Sequence, residues 1–195
     1  TTPVQAKLNL ILGMNLDIEY IMPAHGIIWK DYIADIIETY KDIAAQKTEN
    51  KAVIVYESVW KHTQQIAESL AEGFSDGGMD VKVYKLSDTK SSIVMREIMD
   101  AKIVCIGSGT YNNVMAPSVA AFLEHIRPCK FKNKKGLAFA AYGWFNQVAK
   151  EIDTRMQQSG IESCHDVINQ CYTPSDDQLE DYFNVAKEIA KNCQE

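Results

Sequence analysis

Seven residues, Glu57-Ser58-Val59-Trp60-Lys61-His62-Thr63, put two hydroxyls, an imidazole and an indole between an apolar strand and an amphipathic helix. The strand reads Ala52 to Tyr56, and the helix reads Thr63 to Phe74. Ser58, His62 and Thr63 can donate hydrogen bonds to an anion. Backbone N–H groups of the turn, those of Val59 and Lys61 among them, are free because a helix is only beginning there. The helix N-terminus adds a partial positive charge. The chemistry this turn suits is the capture of a phosphate monoester. A single hydroxyl would be better explained as an ordinary helix N-cap. Two hydroxyls with a histidine and a tryptophan in six residues favour phosphate. No Gly-rich Walker loop is present, which points away from ATP.

Two further segments belong with the first. Gly107-Ser108-Gly109-Thr110-Tyr111-Asn112-Asn113 follows a third strand. Its glycines permit close backbone approach and positive φ. Thr110 and Asn113 offer donors and acceptors, and Tyr111 offers a flat ring. Alone, this segment reads as a solvent-facing turn. Ala141-Tyr142-Gly143-Trp144-Phe145-Asn146-Gln147 follows a fourth strand. Trp144 and Phe145 could simply cover a core edge, but Tyr142, Gly143 and Trp144 also offer stacking surface at a strand end. Rigid aromatic side chains hold a planar apolar ring at small entropic cost. A phosphate pocket beside two aromatic-bearing loops describes a mononucleotide with a large ring system. FMN meets that description better than NAD, since the GxGxxG fingerprint is missing.

The elements that position these loops alternate regularly. Strands read at Ala52–Tyr56, Val81–Lys85, Ile103–Gly107 and Leu137–Tyr142, with a weaker fifth near Cys164–Asn169. Helices read at Thr63–Phe74, Ile93–Met99, Pro117–Ile126, Phe145–Gln158 and Asp177–Lys191. Such alternation implies right-handed crossovers and a parallel sheet. The fold class is α/β, a flavodoxin-like three-layer sandwich with a five-stranded parallel sheet in the order 2-1-3-4-5. All three loops then lie at the C-terminal rim of the sheet. Ahead of this stands a helical extension: a helix around Val4–Leu12, a strand-like run at Ile18–Met22, a turn at residues 23–26, and a helix over Trp29–Ala45. A polar joint at residues 46–51 divides residues 1–48 from 49–195. The first part has little core of its own and must pack on something else.

Composition narrows the class. The chain has 195 residues and a net charge of −6, which argues against a nucleic-acid partner. No apolar run reaches the roughly 20 residues of a membrane span. No signal peptide is visible, and five scattered cysteines without a CxxC pair suit a reducing cytoplasm. Cys105 reads as a small core hydrophobe. The Thr-Thr-Pro start reads as that of a fragment or a processed product.

Together, YESVWKHT, GSGTYNN and YGWFNQVAKEI resemble the flavodoxin-like domain of flavodiiron proteins. IMPAHGIIW resembles the end of that family's metallo-β-lactamase-like domain, which precedes the flavodoxin part. The resemblance spans essentially the whole chain and implies FMN in residues 49–195. It also implies a di-iron centre in the missing N-terminal domain. It places Ser58, Trp60, His62 and Thr63 on the phosphate loop, with His62 where the family often has Ser or Asn. Thr110, Tyr111, Asn112 and Asn113 match the second flavin loop, and Ser108 and Gly109 are counted with it as cofactor-binding, with Gly109 where proline is frequent. Tyr142, Gly143 and Trp144 match the third, and Phe145 and Asn146 replace small residues. His25 falls on the last histidine ligand of the di-iron site, but the cluster that supplies the other ligands is absent.

The family resemblance further implies reduction of dioxygen or nitric oxide by the complete protein. Electrons would come from rubredoxin or another donor, and a head-to-tail homodimer would bring flavin and iron together. The expected role is the FMN-bearing electron-transfer domain. The alternative on the same fold is a stand-alone NAD(P)H-dependent quinone reductase. A receiver-type signalling domain is disfavoured, since residues 107–113 contain no Asp.

Overall fold

The computed structural model describes residues 2–193 and divides into two compact units, one ending at Lys47 and one beginning at Thr48. The division falls one residue before the expected one. In the first unit, helices α1 (Thr2–Gly13) and α2 (Ile33–Ala45) flank an irregular stretch. The expected strand at Ile18–Met22 shrinks to one antiparallel bridge, in which Ile21 and Trp29 exchange N–H···O bonds of 2.9 and 3.0 Å. Trp29 is therefore extended, and α2 starts four residues later than expected, after Tyr32 in the left-handed region (φ 58°).

The second unit is the predicted three-layer sandwich. Strand β1 (Glu49–Glu57) lies inside the sheet and pairs in parallel with β2 (Asp80–Lys85) and β3 (Ala101–Tyr111). A two-residue strand, β4 (Val114–Met115), folds back on β3. Strand β5 (Lys135–Tyr142) pairs in parallel with β3 on one side. On its other side it pairs with β6 (Glu162–Ser163) and β7 (Ile168–Cys171). These two are halves of one interrupted fifth strand, so the order is the expected 2-1-3-4-5. Residues 164–167, the first part of the expected fifth strand, lie in the interruption.

Helices α3 (His62–Asp76), α4 (Ser91–Asp100), α5 (Pro117–Ile126), α6 (Val148–Gln158) and α7 (Asp176–Asn192) cover the sheet. Side chains of a strand alternate between faces, and the burial follows that period. Ala52, Ile54, Ile103, Cys105, Leu137 and Phe139 pack on the α3 and α7 side. Val53, Val55, Val104, Ile106, Ala138 and Ala140 pack on the α4, α5 and α6 side. Because both faces are covered, the central strands read as continuous apolar runs. Ile66, Leu70 and Phe74 form the fully buried stripe of α3. Helix α7 is fixed at its start by a reciprocal capping box between Ser175 and Gln178.

Two boundaries differ from expectation in ways that shape the rim. Strand β3 runs four residues past Gly107, because Asn112 (φ 47°) and Asn113 (φ 67°) form a two-residue hairpin turn into β4. Helix α6 starts at Val148, not Phe145, which leaves the third loop three residues longer.

Candidate functional site

The C-terminal ends of β1, β3, β5 and β7 share one rim, where they enclose a cleft of about 450 Å³. That is the size of a site for a drug-sized molecule. Its first wall is the β1–α3 turn. Ser58, Val59, Trp60, His62 and Thr63 line the cleft, and Lys61 does not. Lys61 instead holds the left-handed N-cap position of α3 (φ 66°). No side chain caps this helix, so its first N–H groups are left for another acceptor. Thr63 is 1% exposed. The described hydrogen bonds include none from the Thr63 or Ser58 hydroxyls, so both remain available to the cleft. The His62 ring meets Thr173 Oγ1 at 3.1 Å through Nε2.

The second wall is β3 and its hairpin. Gly109, Thr110, Tyr111 and Asn112 line the cleft. The glycines act through space rather than dihedral freedom, since neither has positive φ. A Cβ on Gly107 would lie 2.1 Å from the Phe139 ring, so only glycine fits there. A Cβ on Gly109 would lie 3.7 Å from Thr63 Oγ1, so its absence keeps room beside that hydroxyl. Thr110 Oγ1 donates to the Ala141 carbonyl at 3.2 Å, joining second and third walls. Ser108 faces inward and is fully buried; its hydroxyl donates to Gly109 O and accepts from Ala116 N–H at 2.8 Å. It supports the hairpin and does not line the cleft. Burial, and secondarily the nearby Glu57 carboxylate, push the Tyr111 phenol above its ordinary pKa.

Tyr142, Gly143 and Trp144 form the third wall. Trp144 is 82% exposed, and Trp60 is 80% exposed. The Trp144 indole N–H donates to Asn113 Oδ1 at 3.1 Å, so Asn113 stands behind the cleft as an anchor. Phe145 turns away and packs against the buried core.

Ala141, which opens the third segment, also lines the cleft, and one lining residue, Tyr172, escaped the sequence reading. Tyr172 adopts φ 57° after β7 and donates its N–H to the Tyr142 carbonyl at 2.8 Å. Its ring lies 3.4 Å from where a Cβ on Gly143 would be. An aromatic residue at a strand end was the signal that marked the third loop, and the same signal at the fifth strand marks Tyr172. His25 occupies an exposed bend of the first unit. Among the described residues, no group of three His, Cys, Asp or Glu side chains is arranged to hold a metal.

The geometry has known counterparts. The family model for flavodoxin matches residues 54–185. A nitric oxide reductase of Moorella thermoacetica is 40% identical over 82% of this chain and 40% of its own length. An anaerobic nitric oxide reductase flavorubredoxin of Pectobacterium carotovorum is 33% identical over 96% of this chain and 38% of its own length. Among solved structures, the rubredoxin oxygen:oxidoreductase of Desulfovibrio gigas superposes with a TM-score of 0.93 at 31% identity. That match covers 98% of this chain and 48% of the other. The flavodiiron protein of Giardia intestinalis superposes with a TM-score of 0.88 at 26% identity, over 97% of this chain and 48% of the other. The chain thus spans about half or less of the length of these four relatives.

Proposed function

Since this chain belongs to the flavodoxin family and is the flavodoxin-like part of a flavodiiron protein, we propose that the cleft at its sheet rim clasps FMN for electron transfer. One observation carries the reading. An uncapped helix N-terminus, with the unpartnered hydroxyl of Thr63, opens on the same cleft as two indoles that are each about four-fifths exposed. The polar end suits a phosphate dianion, and the aromatic end suits a flat ring.

In this reading Ser58, Thr63 and the first N–H groups of α3 bind the phosphate, with His62 steered by Thr173. Thr110 braces the second wall against the third. Trp144, anchored by Asn113, covers one edge of the ring, and Tyr172 supports Gly143. Bound FMN would supply reversible electron storage; the chain's own residues bind it, orient it and limit its contact with water.

The larger protein is proposed to pass electrons from a donor such as rubredoxin, through this domain, to a di-iron site that reduces dioxygen or nitric oxide. Names of the relatives in Desulfovibrio gigas and Pectobacterium carotovorum support that course. Residues 1–47 would be the end of the iron-bearing domain, with His25 as one ligand completed elsewhere. A head-to-tail homodimer and a cytoplasmic location complete the proposal. Among the described residues no helix is long and apolar enough to cross a membrane, which is compatible with that location.

The test is a titration of the flavin-free chain with FMN and with riboflavin, followed by quenching of flavin fluorescence. One FMN per chain, bound much more tightly than riboflavin, is expected. No uptake, or equal affinity for both, would overturn the reading.

A further inference from the structure

The end of β7 is held by three sets of contacts. Gln170 is 2% exposed, and its amide donates to the Cys171 carbonyl at 2.9 Å and to Gln178 Oε1 at 3.3 Å. Gln178 Oε1 also accepts the Ser175 N–H at 3.0 Å, and the Tyr182 hydroxyl donates to Gln170 Oε1. On the third wall, the Tyr172 N–H donates to the Tyr142 carbonyl at 2.8 Å, and the Cys171 thiol donates to the Gly143 carbonyl at 3.7 Å. Toward the first wall, Thr173 Oγ1 meets His62 Nε2 at 3.1 Å, across 111 residues of sequence. Pro174 disfavours the helical region for Thr173. The loop that presents the Thr173 hydroxyl is thus pinned on both sides, at Cys171 and at Ser175.

His62 stands at the start of α3 beside Thr63, and both line the cleft. Tyr172, next to Thr173, lines it too. The bridge therefore joins the first wall to the end of β7 and bars the gap between them with an imidazole. This matters at the phosphate end. FMN ends at its phosphate. FAD carries a second phosphate and an adenosine beyond it. The cleft of about 450 Å³ suits one drug-sized molecule, so that extension must run out of it.

Resting on the FMN reading above, we propose that the His62–Thr173 bridge is a specificity determinant: it bars the extension of a dinucleotide and restricts the site to a flavin that ends in one phosphate. Thr173 does not line the cleft. It is a positioning residue that acts through His62. A dinucleotide has to break the bridge and displace the ring, whereas a mononucleotide leaves both in place. One such hydrogen bond corresponds to a preference of about fivefold, and the bulk of the ring adds to it.

The experiment titrates the flavin-free whole chain with FMN, FAD and riboflavin by calorimetry, as wild type, Thr173→Val, Thr173→Ser and His62→Ala. The quantity read is the preference for FMN over FAD. Wild type should prefer FMN. Thr173→Val keeps the shape but not the hydroxyl and should lower that preference about fivefold. Thr173→Ser restores the hydroxyl and should keep the wild-type preference. His62→Ala removes bridge and ring together and should lower it by a larger factor. An unchanged preference in Thr173→Val or in His62→Ala would overturn the proposal. So would an equal fall in Thr173→Ser and Thr173→Val, or a wild-type chain that takes FAD as tightly as FMN. A Thr173→Val chain that loses riboflavin as well would trace the effect to a collapsed loop and would also overturn it. A wild-type chain that binds FMN no more tightly than riboflavin would instead remove the reading on which the proposal rests.

Discussion

The two units treat their apolar side chains in opposite ways. From Thr48 onward, the strands bury theirs on both faces, and Val53, Ile54, Val104, Ile106 and Leu137 are wholly inaccessible. The largest exposed rings of that unit, Trp60, Trp144 and Tyr172, gather on the cleft. In the first unit, Met22, Ile27, Ile28 and Tyr32 are each more than three-fifths exposed. Among its described residues Ala44 is the one buried apolar side chain. One region thus has a core strong enough to hold aromatic rings out at a chosen place. The other lacks the buried area that would make it stable alone.

Paired truncations should expose that contrast first. Phe139→Ala empties a fully buried site and should cost about 3–5 kcal/mol in urea unfolding. Tyr40→Ala, at an exposed site of the first unit, should stay within about 0.5 kcal/mol. Equal losses would erase the distinction.

The second unit also buries a lysine. Lys134 is 2% exposed, and its ammonium donates to the carbonyls of Met99 and Ala101 at 3.0 and 2.8 Å. Burial lowers its pKa from 10.5 to about 8, against the opposing pull of Asp100. The unfolded chain then binds more protons between those two values, so this group makes stability rise with pH from about 8 to 10.5. Cys164, raised from 9.0 to about 11 by burial, acts in the opposite sense over that overlapping range. The difference between wild type and Lys134→Met isolates the lysine. It should change by on the order of 2 kcal/mol across that window, and a flat difference would contradict the assignment.

Smaller effects belong to the cleft. Trp144→Ala should weaken FMN binding by about 1–3 kcal/mol through lost stacking, as read by fluorescence titration. Unchanged affinity would place that ring away from the cofactor. Thr63→Ala should weaken FMN by about 1 kcal/mol and leave riboflavin nearly unaffected. Smallest of all, a chain of residues 48–195 should keep the FMN affinity of the whole chain. A marked loss would show that the first unit supports the cleft.

Much of the second unit was legible because continuous apolar strands and a helical stripe at Ile66, Leu70 and Phe74 leave few alternatives. Three loops could be assigned to one rim from strand direction alone. The details that resisted reading were dihedral or long-range. The turn at Asn112-Asn113 needs two positive φ values, which asparagine tolerates but does not announce as Asn-Gly would. Gly107 and Gly109 were expected to allow close approach and positive φ; neither has positive φ, and the close approach is that of Phe139 to Gly107. Ser108 and Asn113 carry donors and acceptors that any pocket could use, and only the fold shows them spent on Ala116 and Trp144. The Ile18–Met22 run looked like a strand but found only one bridging partner in its unit, and a strand needs a neighbour along its length.

The central claim is that one rim clasps FMN by phosphate and by ring. A crystal structure of the chain grown with FMN tests it most directly. The account predicts the phosphate against the Ser58 and Thr63 hydroxyls and the start of α3, with the isoalloxazine beside Trp144. Flavin bound elsewhere, or seated with its phosphate away from that turn, would contradict it.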